Sequence, residues 1–237
     1  MNFDARALQQ DGYTVLSCVY GASELESCRA SLDRWLDVRG GIGDRNEVQA
    51  ARHLIGSWPD AMTVWRRSAL LDVVGQTLGE GAGLVRALYF DKPPQRAWSL
   101  PWHRDQTIAV RRHCTPLAPF SKPTVKDGVA HVEAPHELLE RMVTLRIHLD
   151  DMTAANGPLL ALPGSHSEPS RSSATASPPR RVLASAGDVV VMRPLLFHAS
   201  QMSDTDCVDR RRVVHLEFAA EESLASGFEW HTFLTLT

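Results

Sequence analysis

Cysteine is scarce in this 237-residue chain: Cys18, Cys28, Cys114 and Cys207 stand far apart, and no Cys-x-x-Cys pair occurs. That spacing argues against a disulfide scaffold and against a structural zinc site, whose ligands usually come in close pairs. Free thiols in a reducing cytoplasm are the expectation. Long apolar runs are missing too; Val189 to Met192 is far too short to span a bilayer. The opening MNFDARALQQDGY has no apolar stretch of the kind a secretory signal needs, so a cytoplasmic location is expected. Nor does one sign of charge dominate: 25 Lys and Arg face 28 Asp and Glu, a formal net charge of −3. Such a chain projects no global field toward nucleic acid or an anionic membrane, and neither is an expected partner. What remains is the composition of a soluble globular protein, 43% hydrophobic and 22% charged, long enough for a sizeable core.

The organisation is read as a single domain over residues 1–237, without internal repeats. The first eighty residues are mainly helical. Phe3 to Gln10 reads as a short helix, followed by a strand in Gly12-Tyr-Thr-Val-Leu16. Leu25, Cys28, Leu32 and Leu36 recur at spacings of three and four, the period of one helical face, and Ser23 with Glu26 reads as a capping box opening that helix. Ser68 to Leu78 repeats the pattern with Leu70, Leu71, Val74 and Leu78. From residue 83 the texture becomes β-rich. Gly83 to Asp91, Met142 to Asp150, Pro158 to Leu162, Asp188 to Met192 and Arg211 to Phe218 read as strands, and Trp230 to Leu236 as a weaker one. Turn signals lie among them at Asn156-Gly157, Pro163-Gly164 and Gly187-Asp188. Helices followed by many short strands give an α+β chain whose second part is a double-sheet jelly roll. Loop insertions are expected near 93–100, 114–135 and 165–180.

Two strands alternate in a way that matters. In Met142 to Asp150, Val143, Leu145, Ile147 and Leu149 share one face, while Thr144, Arg146, His148 and Asp150 share the other. In Arg211 to Phe218, Arg211, Val213, His215 and Glu217 lie opposite Arg212, Val214, Leu216 and Phe218. A polar face ordinarily looks at water. If helices cover the apolar faces instead, the polar faces line a barrel interior, where charged groups persist only when paired or bound to something.

Trp102-His103-Arg104-Asp105 contains His-x-Asp, and on an extended segment residues two apart project to the same side. His198 follows much later, just past the Val189 to Met192 strand. Two imidazoles and one carboxylate compose the facial triad of non-haem Fe(II) oxygenases, which leaves coordination positions open for co-substrate and dioxygen. An arginine opens the next strand. A keto acid that chelates iron leaves its far carboxylate for such a partner, and arginine grips a carboxylate better than lysine does.

These features, with Asp11-Gly-Tyr-Thr-Val-Leu16, Asp150-Asp151, Asn156-Gly-Pro-Leu159, Leu162-Pro-Gly-Ser-His166, Ala186-Gly-Asp188 and Arg211-Arg-Val-Val-His-Leu-Glu-Phe-Ala219, are similar over nearly the whole chain to the phytanoyl-CoA dioxygenase family. The resemblance implies a double-stranded β-helix, a jelly-roll barrel with the N-terminal helices packed on its major sheet. It implies Fe(II) held by His103, Asp105 and His198, with 2-oxoglutarate and O2 as co-substrates. Arg211 matches the arginine that holds the distal carboxylate, with Arg210 and Arg212 as neighbouring alternatives. Arg146, Thr144 and His148 share a face that lines the same cavity, and Lys92 is a further candidate or a solvated lysine. The implied reaction hydroxylates a small molecule while 2-oxoglutarate is decarboxylated to succinate. Asp105 argues against a halogenase, since those relatives lose the carboxylate.

Trp98 and Trp102 flank the first ligands, either walling the substrate site or packing beneath a strand end; His166 and Asn156-Gly157 read as turn residues. Arg111, Arg112, His113, Lys122 and Lys126 either attract an anionic substrate or form a solvated surface. A metal-binding jelly roll that holds a small ligand without turnover, and an interaction domain in which the triad never assembles, are the alternatives. Nothing in the sequence specifies an oligomeric state.

Overall fold

The computed structural model describes residues 3–40, 50–94, 98–167 and 178–237. Helix α1 (Ala5–Asp11) is capped by Asp4, whose carboxylate accepts the Ala7 N–H at 2.8 Å, and it ends at Gly12 in the left-handed region. Strand β1 (Tyr13–Leu16) follows, then helix α2 (Ala22–Gly40), strand β2 (Ala50–Ala51) and helix α3 (Ser68–Leu78). The start of α2 corrects the capping box by two residues. The Gly21 carbonyl accepts the first helical N–H, from Leu25, and Glu24 rather than Glu26 reaches back to the Gly21 N–H at 2.9 Å. Glu24 stands three positions after Gly21, the spacing the motif needs, and glycine tolerates the cap position well enough to replace serine.

The remaining elements are β3 (Gly83–Lys92), β4 (Leu100–His103), β5 (Thr107–Val110), β6 (Ser121–Lys126), β7 (Val129–Glu133), the single-turn α4 (His136–Leu139), β8 (Met142–His148), β9 (Leu159–Ala161), β10 (Arg180–Val182), β11 (Val189–Met192), β12 (His198–Ser200), β13 (Arg211–Ala219) and β14 (Leu234–Thr235). Every strand pairing is antiparallel. The major sheet runs β1-β11-β8-β13-β3-β14, with β2 also on β3; a second sheet runs β10-β9-β12-β4, and a third β5-β7-β6. This is the jelly-roll architecture of an α+β chain.

The alternating strands settle which way the barrel faces. Leu145 and Ile147 of β8 and Val214, Leu216 and Phe218 of β13 are fully buried in one cluster with Leu25 and Leu32 of α2 and Leu70 and Val74 of α3. Burial of each such side chain contributes about 1.5–3 kcal/mol, so the helices fix the outer face of the major sheet. Trp65, between β2 and α3, meets Phe218 edge-on at 5.6 Å. The polar faces therefore point inward, and Thr144, Arg146, His148, Arg211, His215 and Glu217 are all buried.

The expected irregular insertion at 114–135 is instead largely a hairpin. Strands β6 and β7 pair through Lys126 and Val129, and Asp127 and Gly128 between them both have positive φ, the geometry of a type I′ turn. The Asp-Gly signal was present, but β6 is largely exposed and contains Pro123, so it lacks the apolar alternation that marks a strand. The weak C-terminal strand shrinks to β14, and most of the 165–180 loop lies outside the described residues.

Arg212, on the outer apolar face, is accounted for by Asp150. Its Nε and Nη2 donate to that carboxylate at 2.8 and 2.9 Å, and Arg29 of α2 reaches the same group at 3.3 Å. This node fastens α2 to β13. Arg212→Ala removes a paired charge from a half-buried site and is expected to lower stability by about 2 kcal/mol in urea unfolding; an unchanged midpoint would contradict that role.

Candidate metal centre

The second sheet brings the two histidines together. His103 at the end of β4 and His198 at the start of β12 are direct cross-strand partners, with ring centroids 4.2 Å apart. Asp105 lies just past the end of β4, where its N–H donates to the Pro194 carbonyl at 2.9 Å. The segment between His103 and Asp105 stays extended enough for both side chains to turn inward. Asp105 Oδ1 is 3.6 Å from His103 Nε2, and its Oδ2 is 3.8 Å from His198 Nε2. One ligand atom from each of the three residues lies within 4.8 Å of the others.

The donor chemistry suits a divalent cation. His103 Nδ1 sits 2.7 Å from the Pro101 carbonyl and His198 Nδ1 2.9 Å from the Leu196 carbonyl. Protonated Nδ1 atoms donate there and leave both Nε2 lone pairs facing Asp105, the orientation that metal-bound histidines take from their outer hydrogen bonds. Asp105 Oδ2 is buried and has no hydrogen-bond partner. Burial alone would raise the Asp105 carboxyl, but His198, His215, His103 and Arg86 outweigh it and hold it at about 2. Burial pushes His198 down to about 4 against the pull of Asp105, so its imidazole is neutral at neutral pH. An ionised carboxylate and a neutral imidazole are the forms a metal needs. His103, Asp105 and His198 therefore fit Fe(II).

Arg211, Arg146 and Ser200 line one narrow cavity with the triad, and Phe90, Trp98 and Leu159 supply apolar walls. Arg211 donates to the Ser200 hydroxyl at 3.2 Å and to Met152 Sδ at 3.4 Å, and its Nε has no partner. Burial and then Arg146 lower the Arg211 guanidinium to about 9; Arg146 itself is lowered by burial, with Asp105 opposing. Arg210 and Arg212 turn away, the first to Asp91 at 3.0 and 3.1 Å and the second to Asp150. Thr144 and His148 are buried on the same inner face, but neither lines this cavity. His148 is held neutral by burial and by Arg146 and Arg211.

Lys92, opposite Arg211 in the β3–β13 ladder, is buried rather than solvated. Its ammonium donates to the carbonyls of Gly157 and Gln201 and lies 4.6 Å from the centre of the Trp98 ring. Burial, Arg211 and Arg146 draw it down to about 7. The Asn156-Gly157 turn thus has a second use, as half of the cradle for this amine. Sequence reading missed Ser200, which follows His198 by two on the same strand and so shares its face; that spacing was the available signal. It also missed the Arg86–Glu217 ion pair and the His215 Nε2 contact to Glu217 at 3.2 Å. Trp102 does not wall the cavity but stacks on Phe197, with ring centroids 5.3 Å apart. His166 contacts the Gln9 carbonyl at 3.1 Å, a structural role.

A jelly roll carrying two histidines and a carboxylate at the mouth of a basic interior defines the class of non-haem metal oxygenase barrels. The chain belongs to the phytanoyl-CoA dioxygenase family, whose sequence profile matches residues 8–213. Comparison with curated proteins returns no match. Among solved structures, the chain is similar to the non-haem monooxygenase ThoJ in its nickel complex (20% identity, 98% of this chain and 82% of that one, TM-score 0.66). It is similar to the non-haem alpha-ketoglutarate-dependent carbocyclase SnoK from nogalamycin biosynthesis (18% identity, 93% and 85%, TM-score 0.67). A third is HygX from Streptomyces hygroscopicus with nickel and 2-oxoglutarate bound (17% identity, 98% of each chain, TM-score 0.63). At these identities the likeness concerns the fold.

Gly157 tests the cradle. Its φ is +71°, and an added Cβ would meet Gln201 O at 2.5 Å and Lys92 Nζ at 2.6 Å. Gly157→Ala is expected to cost about 1–3 kcal/mol in urea unfolding, through backbone strain and displacement of Lys92; wild-type stability would contradict the close fit.

Proposed function

We propose that this non-haem iron, 2-oxoglutarate-dependent enzyme hydroxylates a small organic molecule, releasing succinate and carbon dioxide from the keto acid. One cavity lined at one end by His103, Asp105 and His198 and at the other by Arg211 and Arg146 carries the reading. Among the described residues neither buried guanidinium makes an ion pair, because Asp105, the one carboxylate lining the cavity, is turned to the imidazoles; such a pair suits a bound anion, and the triad beside it suits a chelating one. A keto dicarboxylate supplies both.

In this reading His103, Asp105 and His198 hold Fe(II), which when bound supplies the dioxygen chemistry that side chains lack. Arg211 grips the distal carboxylate, steadied by the Ser200 hydroxyl. Arg146 adds a second positive charge, and Lys92 holds the Asn156-Gly157 turn against the strand end beside Arg211. Phe90, Trp98 and Leu159 exclude water, which strengthens each of these interactions. Thr144 and His148, buried on the inner face that also carries Arg146, take a supporting part rather than contact with the co-substrate.

The test is anaerobic titration with Fe(II) and 2-oxoglutarate, followed by a succinate assay against candidate small molecules. His198→Ala is expected to abolish the charge-transfer absorption of the loaded protein, and an unchanged band would contradict the triad. Arg211→Ala removes one partner of a buried charge pair worth about 2–5 kcal/mol, roughly a 30-fold or greater rise in the 2-oxoglutarate requirement, with metal affinity little changed. If Arg212→Ala does this instead, the assignment is wrong. Tight co-substrate binding with no succinate from any compound would favour a binding module.

A further inference from the structure

Lys92 ends β3 directly opposite Arg211 of β13, yet it does not line the cavity that Arg211 lines. It is among the most deeply buried side chains, 1% exposed, and its ammonium is engaged on every side the structure describes. It donates to the carbonyls of Gly157 and Gln201 and lies 4.6 Å from the centre of the Trp98 ring.

These three partners share one property, which is what they carry into the cavity. Gly157 stands two residues before Leu159, which opens β9, and Gln201 follows Ser200, which closes β12. Leu159, Ser200 and the Trp98 indole all line the cavity. Leu159 and Ser200 face each other in the β9–β12 ladder, and the Gln201 N–H donates to the Pro158 carbonyl at 3.0 Å, so these two segments are held as one. Trp98 is fixed at its other edge by its Nε1–H, which donates to the Asp91 carbonyl at 2.8 Å on the strand that carries Lys92.

The two sheets meet at this point. Strands β3 and β13 belong to the major sheet, β9 and β12 to the second. Lys92 ties one sheet to the other beside the bond from Arg211 to the Ser200 hydroxyl, itself a contact between sheets at 3.2 Å. The tie has a cost, because like charges opposite each other on paired strands ordinarily destabilise a sheet. An amide side chain would avoid that cost. It would not hold two carbonyls through charge-assisted bonds and an indole face by cation–π attraction at once. The ammonium is therefore suited to fixing three wall residues together.

We infer that Lys92 is a positioning residue for the co-substrate: from outside the cavity it holds Ser200, Leu159 and Trp98 at a fixed separation from Arg211, and so selects the length of the keto diacid bound there. This rests on the oxygenase reading for the identity of the ligand, and on the Lys92 contacts for the positioning.

The test uses three keto acids titrated anaerobically into Fe(II)-loaded protein, read by the charge-transfer band. They are 2-oxoglutarate, 2-oxoadipate, which is one methylene longer, and pyruvate, which chelates but has no far carboxylate. Wild type is expected to bind 2-oxoglutarate about tenfold or more tightly than 2-oxoadipate, because a small misplacement of the ligand is costly in a fixed site. Lys92→Met is expected to weaken 2-oxoglutarate by about tenfold or more and to narrow that gap, while pyruvate and Fe(II) bind as in wild type. Gly157→Ala keeps the amine but places a Cβ 2.6 Å from its Nζ, and is expected to show the same split; it carries the test if Lys92→Met does not fold. Equal affinity for the two diacids in wild type would overturn the inference. So would variants that bind 2-oxoglutarate normally, or that lose pyruvate and Fe(II) in proportion to it. No band with any of the three acids in wild type would overturn the oxygenase reading instead, and calorimetry with the two diacids on metal-free protein then still decides the length selection.

Discussion

Charge enclosed in a barrel must be neutralised, and that constraint shapes this molecule. Four cationic side chains, Arg86, Lys92, Arg146 and Arg211, point to the inner face of the major sheet, against two carboxylates, the buried Glu217 and the half-buried Asp105. Glu217 is already bound by Arg86 and His215, and Asp105 faces the imidazoles. The inner end of the barrel is therefore basic, and its nearest further carboxylates are engaged elsewhere: Asp91 and Asp150 lie outside, bound to Arg210 and Arg212.

The helices make that arrangement possible. By covering the outer face with an apolar layer, α2 and α3 reverse the usual sense of an amphipathic strand and turn its polar residues inward. The second sheet then sets the metal ligands opposite this basic floor, because β4 and β12 pair at His103 and His198. Fold and chemistry share one cause: the strand alternation that packs the helices is the same alternation that aims Arg211 at the triad and Arg212 at Asp150.

Much of this was legible. Strict alternation over Met142–His148 and Arg211–Phe218 contains the inside-outside sorting, but Asp150, expected on the polar face, lies past the end of β8 and turns outward to Arg212 and Arg29; His-x-Asp contains its own convergence, because residues two apart on an extended chain share a side. Helices α2 and α3 follow from their apolar period. What escaped was whatever depends on exposed or backbone groups. The β6–β7 hairpin has too little apolar content to register as strands. The sequence leaves Lys92 open between a pocket residue and a solvated lysine, because its partners are carbonyls and an indole face, which leave no compositional mark. The cluster of His53, His131 and His231 joins three separate segments, and no local pattern contains it.

The account joins a metal centre and a co-substrate site within one cavity of the barrel. Its central claim is that three side chains and one arginine hold the two ends of the same small molecule. Diffraction from crystals grown anaerobically with Fe(II) and 2-oxoglutarate, with anomalous data collected at the iron edge, tests this most directly. The account predicts a single iron peak between His103 Nε2, Asp105 and His198 Nε2, with the distal carboxylate of 2-oxoglutarate on Arg211. Iron absent from the triad, or the carboxylate seated elsewhere, would contradict it.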